Sequence, residues 1–288
     1  MIIRRLRIGI ILFLLIQFTP KLLSAVPLQL AVPAMQSGLS KLEQWTPIVE
    51  YLEEECSFEI DLLIVKDHKK LIEGLRDRFY DIGFMNALWE HRLISEGDFI
   101  SGARLSVGGD THFTSHIVVN KDSVFRKMNE LTGEYLALTV PQESLGGYYI
   151  PLLLCMNAGI EASEVFRQVV FSETYMSILK GVAFGVVEAG AVTSDVLESP
   201  EMEEYRSEVR SVGISKPIPQ WALVAYRDHK TERVNRFISE IVGMNSEPAG
   251  LEILEEVGFT GFVPAGNDLV HIPPDYLDVI GEIDALSR

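Results

Sequence analysis

Pro141-Gln142-Glu143-Ser144-Leu145-Gly146-Gly147-Tyr148-Tyr149-Ile150-Pro151 follows an apolar, strand-like run, Tyr135–Val140. A serine, two glycines and a helix start, in that order after a strand, mark a turn that opens onto a ligand. The first amides of a helix have no acceptor one turn back, and the aligned peptide dipoles leave partial positive charge there. Small residues let a ligand approach those amides closely, so the stretch is expected to cradle an anionic or strongly accepting group. Pro151 falls in the first helical turn, where its missing N–H costs little. No nucleophile–base pair stands nearby, so binding is expected here rather than catalysis.

Outward from this turn, short apolar strands alternate with helices, which predicts βαβ units and mainly parallel sheets. Before it, strands are expected at Pro27–Val32, Phe58–Val65, Asp81–Met85 and Ile100–Val107, with helices after each of the first three. Ser40-Lys41-Leu42-Glu43 fits a capping box for the first helix. After the turn, strands are expected at Gln168–Phe171 and Val186–Thr193, around a helix at Thr174–Gly181. The plan looks duplicated. Asp81-Ile82-Gly83-Phe84 and Glu188-Ala189-Gly190-Ala191 set an acid, an apolar residue and a glycine at matching places. His116–Asn120 and Ala222–Tyr226 also resemble each other and are read as two chain crossings between lobes. The expected division is 1–25 as a leader, 26–114 with 227–288 as a first lobe, and 115–226 as a second. Two lobes joined by two extended crossings form a hinge with a ligand cleft between them.

The amino terminus supports export. Arg4, Arg5 and Arg7 precede the apolar run Ile8–Phe18, and Leu23-Ser24-Ala25 is a plausible cleavage site. A membrane anchor is the alternative, although the apolar run is short for a span. No cysteine follows it that a lipid could modify. The chain has 288 residues and a formal net charge of −16, which disfavours nucleic acid and anionic membranes as partners. Cys56 and Cys155 fall in different predicted lobes and are expected to be free, buried thiols. No Cys/His cluster has metal spacing, and no cofactor is expected.

With these segments in order, the chain resembles the phosphonate/phosphite-binding branch of the periplasmic solute-binding proteins that feed ABC importers. The likeness rests on Trp45-Thr46-Pro47, Asp81-Ile82-Gly83-Phe84, His112 to Val119, Leu131-Thr132-Gly133, Pro141 to Pro151 and Gly185 to Val192. It implies an α/β, two-lobed type II periplasmic binding protein with a two-strand hinge, closing over a small solute. Members usually carry Ser-Thr-Ser-Gly where this chain has Ser144-Leu145-Gly146-Gly147, so one hydroxyl remains of the usual set. A Tyr is usual at the positions of His68 and Trp89, and a His at that of Tyr175. The acidic position is kept as Glu188.

Ser144, Gly146 and Gly147 are the leading site candidates. A plain N-cap and a flexible turn would account for them equally in kind. His68, Asn86 and Trp89 are candidates from the first lobe, with Asn86 at the carboxyl end of a strand, where open α/β sheets bind ligands. Tyr175 and Glu188 are candidates from the second, since a lone Glu leading into Ala-Gly-Ala-Val is costly to bury unpaired. Gln36 and Ser37 follow the first strand, and Ser115 flanks the hinge. The expected partners are a small-molecule solute and an ABC-transporter permease, the chain acting as a monomer. A periplasmic accessory to a membrane sensor is the alternative. An enzyme on the same scaffold would need a pair such as Glu188 with His68.

Overall fold

The structure is a computed structural model, described over residues 26–34, 38–139, 144–160, 166–229, 232–266, 272–278 and 280. The expected leader, residues 1–25, lies outside the described residues, as do Gln36, Ser37 and Val140 to Glu143. The first half contains β1 (Leu28–Pro33), α1 (Gly38–Cys56), β2 (Ile60–Val65), α2 (His68–Arg76), β3 (Ile82–Met85), α3 (Ala87–Ile94) and β4 (Phe99–Ser106). One short crossing strand and the second unit follow: β5 (His112–Phe113), β6 (Ser115–Asn120), β7 (Glu134–Thr139), a π-helical turn at Leu145–Tyr149, α4 (Ile150–Asn157), β8 (Phe166–Ser172), α5 (Tyr175–Ala183) and β9 (Ala189–Thr193). The remainder is α6 (Ser194–Glu198), α7 (Glu203–Arg206), β10 (Val209–Ile214), β11 (Ile218–Pro219), β12 (Ala222–Tyr226), α8 (Glu232–Gly243), α9 (Pro248–Glu256) and β13 (Gly261–Pro264).

Two sheets result. One has the order β13-β4-β12-β3-β1-β2 and the other β10-β6-β9-β7-β8. The parallel pairing that the sequence pattern predicts is confined to β2–β1–β3 and β8–β7–β9. The strands beside these triplets run antiparallel, because they belong to chain that switches sheets. Each sheet is therefore mixed rather than mainly parallel.

The crossings also fall elsewhere than expected. A separate two-stranded ribbon pairs Phe113 with Ile218 and His112 with Pro219. It joins the sheets in place of the two longer strands read as crossings. Ala222–Tyr226 pairs with β3 and β4, so it belongs to the first sheet and not to 115–226. The carboxyl-terminal residues differ too. Ile272, Tyr276 and Ile280 are buried with Leu131, Leu136 and Ile150 of the second lobe. The Lys216 amide donates to the Tyr276 hydroxyl at 2.8 Å, and Lys216 pairs with Asp275. These contacts override a division in which everything after 227 returns to the first lobe, because apolar residues follow the nearest core rather than the chain order.

Local packing explains the elements. In α2, Leu71, Ile72 and Leu75 are buried while Lys69 and Lys70 are exposed, the stripe of a helix lying on a sheet. Asp67 caps it by accepting from the Lys70 amide at 2.8 Å. Helix α1 begins at Gly38, so Ser40 lies inside its first turn rather than ahead of it. Its buried Trp45 packs edge-on against Phe84, with ring centroids 4.8 Å apart. Gly83 and Gly190 let α2 and α5 approach their sheets. A Cβ on Gly83 would lie 2.8 Å from Leu75 Cδ1, and one on Gly190 2.5 Å from Ile178 Cγ2. Cys56 and Cys155 are free and buried, and burial pushes their thiols up to about 11 and about 12. Among the described residues, no helix is long and apolar enough to cross a membrane.

Candidate functional site

A cavity of about 930 Å³ is lined by both lobes. The first contributes Val32, Phe84, Asn86, Leu105, Trp221 and Phe259; the second contributes Thr139, Ser144, Gly146, Tyr175 and Thr193. These residues sit at strand ends: Thr139 closes β7, Thr193 closes β9, and Asn86 follows β3. The carboxyl edge of a parallel triplet is where helix starts and strand ends converge, which is the physical reason ligands gather there.

The second lobe supplies most of the polar groups. Ser144 caps the π turn, its Oγ accepting from the Gly147 amide at 3.0 Å. The Tyr149 amide reaches back five residues to the Ser144 carbonyl, which widens the turn. The Tyr175 hydroxyl lies 3.1 Å from Ser144 Oγ and also hydrogen-bonds Thr193. Burial drives the Tyr175 phenol far above its ordinary range, so it stays protonated and can donate. Thr139 is 4% exposed, and its Oγ1 has no hydrogen-bond partner among the described residues. Four hydroxyls and a helix start thus face one end of the cavity.

The two glycines are required by space. A Cβ on Gly146 would lie 2.5 Å from Thr193 Cγ2 and 2.7 Å from Phe113 Cε2. One on Gly147 would lie 2.3 Å from Thr139 Oγ1. Ser115 is fully buried and does not line the cavity. Its Oγ donates to the Gly146 carbonyl at 2.6 Å, which ties the turn to β6.

The sequence candidates divide as follows. Ser144, Gly146, Asn86 and Tyr175 line the cavity. Gly147 and Ser115 support the turn from behind. Asn86 caps α3, its Oδ1 accepting from the Leu88 and Trp89 amides. His68 does not reach the cavity: it is fully buried, stacked on Trp89 at 5.7 Å and tilted against Trp221 at 5.4 Å. Trp89 is likewise a packing residue, with Arg92 over its ring. Glu188 lies at the opposite end of β9 from the cavity, where its carboxylate accepts from the Tyr135 amide at 3.2 Å. That bond answers the cost of half-burying a lone acid without any ligand. Glu188 and His68 therefore do not form an acid–base pair.

Sequence reasoning passed over Thr139, Thr193, Asp195, Gln220 and Trp221. The strand-end rule that singled out Asn86 applies equally to Thr139 and Thr193. Asp195 accepts from Gln220 Nε2 at 3.3 Å across the hinge. Glu173, Glu198, Glu201 and Glu255 also line the cavity, against the single cation Lys41 among its described residues. Lys41 donates to Gln44 at 2.9 Å, and burial holds its ammonium below the ordinary lysine range. Among the described residues no cluster of His, Cys, Asp or Glu is placed to hold a metal ion.

Residues 30–270 match the family described as ABC transporter, phosphonate, periplasmic substrate-binding protein. The chain is 21% identical over 266 residues to the phosphonates-binding periplasmic protein of Escherichia coli, covering 90% of this chain and 78% of that one. Among solved structures it is similar to PhnD1 from Prochlorococcus marinus in complex with methylphosphonate, with a TM-score of 0.72, 17% identity, and 89% and 98% of the two chains covered. It is also similar to a Xanthomonas citri protein bound to ATP, with a TM-score of 0.69, 18% identity, and 91% and 96% covered. These likenesses establish the two-lobed type II fold.

Proposed function

The chain belongs to the phosphonate-binding family of periplasmic substrate-binding proteins of ABC transporters, and from that premise we propose that its lobes close over a small organic oxyanion. The head of that solute is held in the second lobe, by the amides of the π turn and the hydroxyls of Ser144, Thr139, Tyr175 and Thr193. The observation that carries the reading is Thr139 Oγ1, buried and unpartnered among the described residues beside three other hydroxyls and a helix start. A buried hydroxyl without a partner costs free energy, and a ligand oxygen in the cavity removes that cost. Donors fixed in this way need no reorganisation on binding, which favours affinity.

Closure follows if the solute touches both lobes, because only differential affinity for the closed form shifts the population toward it. A membrane permease then reads the closed form. The basic and apolar pattern of residues 1–25 supports delivery to the periplasm with that segment removed.

A thermal-shift screen with methylphosphonate and other small alkyl oxyanions tests the head-group site. A specific solute raises the unfolding midpoint by mass action, and Ser144→Ala reduces that rise. Small-angle scattering should show compaction on binding. Tight binding with no compaction, or an unchanged shift in the Ser144 variant, overturns the reading.

A further inference from the structure

Resting on that reading of the head-group site, we propose that the solute is aromatic: a flat ring carried on a single oxyanionic head, seated against Phe84, Trp221 and Phe259 of the first lobe. The two walls of the cavity differ in what they have left to offer. The amide side chains of the first-lobe wall are engaged within the protein, beside the charged Lys41 and Glu255 that also line it. Asn86 Oδ1 accepts from two amides of α3, and Gln44 donates to the Val257 carbonyl while accepting from Lys41. Much of the rest of this wall is apolar, with Val32, Leu105 and Val107 beside the three aromatic residues.

The aromatic wall is ordered in advance. Trp221 stacks on Phe84 with centroids 5.1 Å apart and planes 29° apart, and Phe84 rests on Trp45. His68 supports Trp221 at 5.4 Å. A wall held this way loses little side-chain freedom when a ligand arrives, so ring burial appears directly as affinity. Charge limits the rest of the solute. The carboxylates of Glu173, Asp195, Glu198 and Glu201 line the second-lobe side and Glu255 the first, with Lys41 as the single cation among the described lining residues. A chain of anionic groups is repelled by that wall, whereas one head with an uncharged body is tolerated.

The test uses two probes with the same head, phenylphosphonate and methylphosphonate, titrated into the protein by calorimetry and by tryptophan fluorescence. Phenylphosphonate is expected to bind at least about tenfold more tightly and to change the Trp221 emission. Trp221→Ala should shrink that ratio toward one, and Trp221→Phe should restore most of it. Ser144→Ala should weaken both probes by a similar factor and leave the ratio standing. Circular dichroism checks that each variant is folded; if Trp221→Ala is not, the wild-type ratio and the Phe variant decide. Equal or weaker binding of the phenyl probe overturns the aromatic subsite and leaves the oxyanion reading intact. A preference untouched by both Trp221 variants also overturns it. If neither probe binds, the oxyanion reading falls and this inference falls with it.

Discussion

The two lobes share the same floor and differ at the rim. In the first, Asp81 stands just before β3 and its carboxylate accepts from the Gln29 amide of β1 at 2.8 Å. In the second, Glu188 stands just before β9 and accepts from the Tyr135 amide of β7. The registers match: Ile82 pairs with Leu30 and Gly83 with Ala31, as Ala189 pairs with Leu136 and Gly190 with Ala137. Each acid meets an amide that its own sheet leaves unpaired at the strand start. At the opposite strand ends the equivalence stops. The first lobe engages Asn86 in capping α3 and shows aromatic surface, and the second shows hydroxyls and a helix start. Internal sequence likeness here marks framework, and the proposed binding chemistry lies where the likeness ends.

Four comparisons between the lobes probe this. The largest expected effect is at the paired glycines. Gly190→Ala should cost about 1–3 kcal/mol, because the new Cβ meets the stiff, β-branched Ile178 and Val182. Gly83→Ala should cost less, since the obstructing Leu75 and Leu71 methyls lie at flexible side-chain ends. Urea midpoints in the reverse order would break the equivalence of the two helix–sheet contacts. Next come the caps. Ser144→Ala and Asn86→Ala should each lose about 1 kcal/mol of stability. Only the Ser144 change should also weaken an alkyl oxyanion, by roughly tenfold, in a direct binding titration. Similar losses of affinity in both variants would erase the difference between the rims.

A smaller effect is expected at the floor. Asp81→Asn and Glu188→Gln should each cost about 0.5–1 kcal/mol, equal within error, with solute affinity unchanged. A Glu188 variant that lost affinity would return that residue to the binding site. The smallest effect is in pH. Burial holds His116, on β6, below its ordinary value of 6.5. The stability it contributes is fully present above that value and is lost as pH falls through the lower folded value. Burial instead raises Glu90 of α3 above 4.5, opposed by Arg104, so its contribution is full at low pH and lost as pH rises through the raised value. Hydrogen exchange between pH 7 and 5 should therefore show protection falling in the second sheet while the first holds, and His116→Gln should remove that trend.

Much of this organisation was legible in the sequence. The strand–helix alternation, the repeated acid–apolar–glycine signature and the helix start at Ser144 are local patterns, set by periodicity and turn chemistry. The hinge ribbon at His112–Phe113 and Ile218–Pro219 was not legible, because strands of two residues carry no period. Trp221 was missed for a related reason: it precedes a strand whose own sheet was misassigned. His68 and Trp89 were misplaced because an aromatic wall and an aromatic core have the same composition. What separates them is which ring lies in front, and here Trp221 stands before His68.

The seat of Ile272, Tyr276 and Ile280 on the second lobe means that, among the described residues, the polypeptide passes between the halves three times. The last leg behaves as a strap. A chain cut after Pro264 would strip the second half of apolar cover and take away the groups that Lys216 holds. The freshly bared patch would promote self-association, even though no cavity residue had been touched.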